Sequence, residues 1–339
     1  MREAPLSDGR HLKILDGWRG ISILAVLAAH LLPLGPKNWQ LNAALGVFGM
    51  AVFFCLSGFL ITSFLLRHAR VIDFLIRRLC RILPLAWLAL AVGFWCWRVP
   101  ESYYLPNFFF YANLPPWPLV EGLGHFWSLG VEMQFYGGVA LLVALAGRRA
   151  LKFLPLACLA VTALRILNHR YTSIETYYRL DEILSGATLA PMYSGEFGDR
   201  ARRALSFVNP WLFAGLFLLS THDGARFFDY GRPYFAAALV GASLVRPAFP
   251  FASVLRGRVL AYIAEISYAL YIVHPMLAAT WLGSGSTAVK YLKRPLLIVA
   301  IAGVAHLSTF YYERRWIAFG KRLSARIAPA GEVREEPAT

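Results

Sequence analysis

The chain has 339 residues and a formal net charge of +15, and it is 58% hydrophobic but only 16% charged. That balance excludes an ordinary soluble domain, and apolar runs about 20 residues long recur along it, the length one membrane crossing needs. The basic residues cluster between those runs, where anionic lipid headgroups account for them, so nucleic acid is excluded as a partner and the lipid bilayer takes its place.

The pattern predicts an all-α, polytopic integral membrane protein with about ten transmembrane helices, over 18–34, 43–66, 82–98, 126–146, 150–168, 178–195, 208–221, 230–247, 259–282 and 290–312. With a cytoplasmic N-terminus, 23 of the 34 basic residues fall in inner segments, the alternation of the positive-inside rule. Both termini are therefore expected in the cytoplasm, with the first span as its own targeting signal and no cleavable leader. Residues 1–320 form the membrane domain, and the polar stretch 321–339 is expected to be disordered. Cys55, Cys80, Cys96 and Cys158 form no CxxC pair, so they read as packing residues, and no metal site is expected.

In the first helix, Arg19 and His30 lie eleven residues apart, about three turns and about 16 Å, so both emerge from one face. Ionisable groups in such a span cost a few kcal/mol and are functional suspects. Asp16, at i−3, can pair with Arg19, which could also simply snorkel to the headgroups. Ser57 and Gly58 in the second span allow close approach of a neighbouring helix or a ligand. Arg77, Arg78 and Arg81 stand at helical spacing before the third span and can converge on phosphate oxygens, of a ligand or of lipid.

The stretch HFWSLGVEMQFY (125–136) places His125, Ser128, Glu132 and Tyr136 along one helical stripe. At matching depth Glu132 can orient His30 for general base catalysis; a structural Glu–Arg bridge is the other reading of Glu132. Arg179 and Asp181 fall near the outer end of the sixth span. On the ninth, Ser267, Tyr271 and His274 share a face, Tyr268 adjoins them, and Pro275 can kink the helix after His274.

Taken in order, LDGWRG and His30, FFCLSGFLIT, FLIRRLCRILPLAW, HFWSLGVEMQFY, RLDEILSG and ISYALYIVHP resemble the membrane acyltransferase-3 family over residues 12–320. The resemblance implies a multi-pass O-acyltransferase of the bacterial cytoplasmic (inner) membrane. Such enzymes move an acyl group, usually acetyl, from acyl-CoA to a sugar hydroxyl of a polysaccharide, lipopolysaccharide or glycolipid. Acyl-CoA is then a co-substrate, and no tightly bound cofactor is implied. Arg19 and His30 match the family's essential arginine–histidine pair, Arg78 and Arg81 its RxxR, and Glu132 the glutamate after WSL. The chain departs at Glu313, Arg314 and Arg315, where the family commonly has Glu-Arg-Pro, which bears on the end of the last helix. Some members carry an extra hydrolase-like domain; without one, this chain would finish the transfer or hand the acyl group to a partner.

These readings combine into one expected site. His30 and Glu132 are the catalytic candidates, with His30 acting as base or as transiently acylated nucleophile. Arg19, Arg77, Arg78, Arg81 and Ser57 are expected to hold the donor. Asp16, Trp127, Ser128, Arg179, Tyr268, Tyr271 and His274 are expected around the acceptor or the cavity, with the acceptor beside Arg179 and Tyr271. A proton-coupled secondary transporter relaying through His30, Glu132 and His274 is the alternative class.

Overall fold

The computed structural model describes residues 9–327 apart from 69, 118 and 247. Twelve α-helices of eight residues or more carry the described chain. They are α1 (Gly9–Leu31), α2 (Leu41–Arg67), α3 (Val71–Trp97), α4 (Phe126–Ala146), α5 (Leu154–Leu167), α6 (Thr176–Ser194), α7 (Pro210–Leu219), α8 (Arg232–Val245), α9 (Arg258–Glu265), α10 (Ser267–Ala278), α11 (Thr287–Leu307) and α12 (Arg314–Ile327). Among the described residues there is no strand.

Six helical stretches are long and apolar enough to cross a bilayer: Lys13–Leu31, Lys37–Arg67, Val71–Trp97, Phe126–Ala146, Arg148–Leu167 and Thr287–Ile327. The bent pair α9 and α10 makes a seventh if counted as one span. Each of the other expected spans meets a helix that falls short by itself. Arg179, Asp181 and Glu182 make α6 too polar, while α7 and α8 have only 10 and 14 residues.

Helix α2 is the centre of the bundle, and glycines set its spacing. A β-carbon on Gly58 would lie 1.9 Å from the carbonyl oxygen of Ile183 in α6, and one on Gly186 would lie 1.8 Å from that of Cys55 in α2. The two backbones therefore meet with no side chain between them, the contact that small residues allow where lipid gives helices no hydrophobic reason to associate. On the other side Gly49 lets α1 approach, and the Ser22 hydroxyl donates to the Gly49 carbonyl at 2.8 Å. Large apolar side chains such as Leu145, Phe207, Leu292 and Val299 point outward and stay bare of protein, as a face against hydrocarbon requires.

Two expectations about the C-terminal half change. The ninth span breaks by 66° at Ile266, between α9 and α10, and Pro275 lies inside α10. Ser267 donates its hydroxyl to the Ala264 carbonyl at 2.7 Å, a back-bond that competes with the helical ladder at the break. At the end, α11 runs through a π turn (Ser308–Glu313) into α12, so residues 321–327, expected to be disordered, are helical. There α12 lies against α3, with Gly320 on Cys80 and Ser324 accepting from Arg77. The remainder of that tail lies outside the described residues.

Replacing Gly58 or Gly186 by valine forces α2 and α6 apart and should cost about 1–3 kcal/mol or more. The check is a clear fall in the thermal midpoint of the purified protein in detergent, with Gly137→Val, where a β-carbon meets nothing within 4 Å, as the tolerated control.

Candidate active site

A cavity enclosing about 850 Å³, counted out to its open mouth, runs between α1, α2, α3, α4 and α10. Along α1 it is lined by Arg19, Ser22, Ile23 and Val26, a single helical stripe on which His30 is the next position, one turn beyond Val26. His30 is not itself in the lining. Arg78 and Arg81 of α3 join Arg19, while Ser57, Ser128, Glu132, Tyr136, Ser267, Tyr268 and Tyr271 supply the remaining polar walls.

Glu132 is buried beside the arginines rather than beside His30. Its Oε1 accepts from the Tyr136 hydroxyl at 2.5 Å and from the Ser57 hydroxyl. Its charge acts on both Arg19 and Arg81, and the guanidinium of Arg78 sits 5.9 Å from the centre of the Tyr136 ring. The expected His30–Glu132 pairing is therefore corrected: Glu132 is the counter-charge of a three-arginine cluster. It is Ser128, one turn nearer the N-terminus of α4, that stands level with the histidines. The Ser128 and Tyr271 hydroxyls share a 2.5 Å bond, and both close on the His125 carbonyl.

His30 pairs with His274. The two rings are 5.1 Å apart, with Nδ1 of His30 3.1 Å from Nε2 of His274. The other nitrogen of His274, Nδ1, is 3.0 Å from the Leu270 carbonyl, which can only accept. With both rings neutral, His274 therefore carries its proton on Nδ1 and accepts the Nδ1–H of His30 at Nε2. That leaves Nε2 of His30 with a free lone pair. His274 is fully buried and His30 is exposed, so the held ring lies inside and the His30 ring is accessible. His125 packs beside this pair, 5.9 Å from His274.

Several expected site residues lie elsewhere. Arg77 bonds to Asp73 at 2.8 Å and to Ser324 at 3.3 Å, so it turns towards α12 and leaves the cavity to Arg78 and Arg81. Asp16 is outside the lining, and it feels Arg19 and Arg81 through space without a direct ion pair closing. Tyr268 does line the cavity, but its hydroxyl donates to the Ile82 carbonyl at 2.7 Å. Trp127 is also outside, packed between Phe54 and Arg179.

Arg179 belongs to a buried ion network instead of the expected acceptor contact. Arg165 pairs with Asp181 at 2.5 Å, and Glu182 takes both Arg179 at 3.2 Å and Arg232 at 2.8 Å. All five side chains are 3% exposed or less. The position of Arg165, a cation inside the apolar stretch 154–167, was the sequence signal for this network.

A family profile described as an acyltransferase domain matches residues 12–314. The O-acetyltransferase OatA of Staphylococcus aureus (strain NCTC 8325 / PS 47) is 26% identical over 78% of this chain and 50% of its own length. YrhL of Bacillus subtilis (strain 168), provisionally named a peptidoglycan O-acetyltransferase, is 25% identical over 90% of this chain and 55% of its own. The chain thus spans about half the length of these curated relatives. No solved structure matches it.

Glu182→Gln leaves two buried guanidiniums without their counter-charge and should destabilise the protein by about 3–5 kcal/mol. Glu265→Gln breaks the exposed pair with Arg314 and should cost under about 1 kcal/mol, and thermal unfolding in detergent separates the two.

Proposed function

The chain belongs to the membrane acyltransferase-3 family, and on that premise we propose that it is an integral membrane O-acyltransferase. It takes an acyl group, acetyl in the simplest case, from cytoplasmic acyl-CoA and transfers it to a sugar hydroxyl of a cell-surface glycan or glycolipid. The carrying observation is the stripe on α1, where Arg19, Ser22, Ile23 and Val26 line one cavity that leads from three guanidiniums towards His30. The relatives' names, O-acetyltransferases, support the same reaction class, and nothing supports the transporter alternative.

In this reading Arg19, Arg78 and Arg81 receive the phosphates of the donor, since planar forked cations suit phosphate oxygens. Glu132 keeps the three from repelling one another before the donor arrives. The acyl-bearing arm lies along Ile23, Val26, Met50 and Phe53, bringing the thioester towards His30. Nε2 of His30 takes the proton of the acceptor hydroxyl as its oxygen attacks the thioester carbonyl. The C–S bond then breaks, and the departing thiolate takes the proton from the imidazolium. His274 holds His30 in the tautomer this requires.

The reading also takes α6, α7 and α8 as crossings completed by their neighbours, giving ten spans, cytoplasmic termini and a place in the inner membrane. Lys37→Cys should then react with an impermeant maleimide on intact spheroplasts and Arg200→Cys only after lysis, in a chain whose four native cysteines are replaced by alanine. The opposite pattern inverts the topology.

Purified full-length protein in nanodiscs, given labelled acetyl-CoA and a glycan acceptor, tests the chemistry. His30→Ala should lower transfer by about 100-fold or more. Arg81→Gln should raise KM for acetyl-CoA about tenfold, and Arg77→Gln, turned away from the cavity, should leave it within about twofold. Wild-type turnover by His30→Ala would overturn the proposal.

A further inference from the structure

A second cleft opens between the end of α3, the chain that follows it, the segment before α4, and the end of α10. It encloses about 1040 Å³, counted out to its mouth, and Trp97, Arg98, Tyr103, Glu121, Gly122 and Ala279 are among its walls. We propose that this cleft is the acceptor site and that it takes a neutral, polyhydroxylated sugar; the inference rests on the acyltransferase reading and replaces Arg179 as the acceptor contact.

Its position is the first reason. Trp97 lies 19 residues beyond Arg78 on the same helix, about 28 Å at 1.5 Å per residue, close to the thickness of a hydrocarbon core of about 30 Å. The cleft is therefore at the end of the bundle opposite the arginines. It is also at the end where the histidines gather. Gly122 stands three residues before His125, whose carbonyl receives the Tyr271 hydroxyl, and Ala279 is the residue after α10, which carries His274.

Its chemistry is the second reason. A pyranose offers apolar C–H faces and a rim of hydroxyls that both donate and accept. Trp97 and Tyr103 are half-buried, so their rings are fixed but still present a surface. Gly122 supports Trp97 directly: it has φ +75°, and a β-carbon there would lie 3.1 Å from the ring. Arg98 and Glu121 are both exposed at the cleft, and neither closes an ion pair with another described residue. One offers only donors and the other only acceptors, which suits a hydroxyl pair. Their charges cancel, so the cleft has no preference for an anion, unlike the arginine end.

The test uses full-length protein in nanodiscs and the base-deacetylated glycan fraction of the producing cells' own envelope. Retention of that glycan on immobilised protein, without acetyl-CoA, reads the cleft alone. Wild-type protein should retain it, and both Trp97→Ala and the exposed pair Glu121→Gln with Arg98→Gln should lose about fivefold or more of that retention. With labelled acetyl-CoA added, the same variants should raise KM for the glycan while KM for acetyl-CoA stays at the wild-type value. Glu121 and Arg98 carry the test if Trp97→Ala unfolds. Unchanged retention and KM in the double variant overturn the cleft as acceptor site, as does a wild-type protein that retains no glycan. Retention that depends on these residues, with no acyl transfer by wild type, overturns the acyltransferase reading and leaves the sugar site standing.

Discussion

A guanidinium inside a low-dielectric bundle must have its counter-charge close by, and two carboxylate groupings meet that demand here. Asp181 and Glu182 hold Arg165, Arg179 and Arg232 in a buried ion network. Glu132 faces Arg19, Arg78 and Arg81 alone, with Ser57 and Tyr136 fixing its carboxylate. The first grouping is closed and serves the fold. Both groupings hold three guanidiniums against fewer carboxylates, but only the second borders a cavity, so it remains receptive to an anion.

This difference also separates the two ends of the passage. Glu132 is committed to the arginines, so the histidine end is organised by neutral groups: His274, the Leu270 carbonyl, Tyr271 and Ser128. The break at Ile266 starts α10 afresh, and Ser267, Tyr268 and Tyr271 in its first turns line the cavity. A straight helix through Ile266 would aim those side chains along a different line.

Much of the site was legible because helical spacing places residues on faces. Arg19, Arg78, Arg81, Ser57, Ser128, Glu132 and Tyr271 meet in one cavity, as their periods within each helix indicated. Depth was harder to read. Glu132 and His30 looked level when counted from opposite helix ends, yet one turn of α4 separates Glu132 from Ser128, the residue that reaches the histidine layer. Partner choice across helices was harder still. Spacing allows Arg77 to join Arg78 and Arg81, but it cannot show that Asp73 and Ser324 hold it elsewhere. Proline at 275 suggested the bend, whereas the hydroxyl of Ser267 marks it, because a serine back-bond is a far quieter signal.

The contact between Gly58 and Gly186 divides the molecule by its freedom to change. Neither position can gain even a methyl group without moving a backbone, and through α2 and α6 they fix where Ser57 and the Glu182 network sit. By contrast, α11 turns most of its surface outward, where one greasy side chain serves as well as another. Substitutions accumulating over generations should therefore scatter across the rim of the bundle while its spine stays almost invariant, and a library of random variants should lose function at these glycines long before it does at Leu292 or Val299.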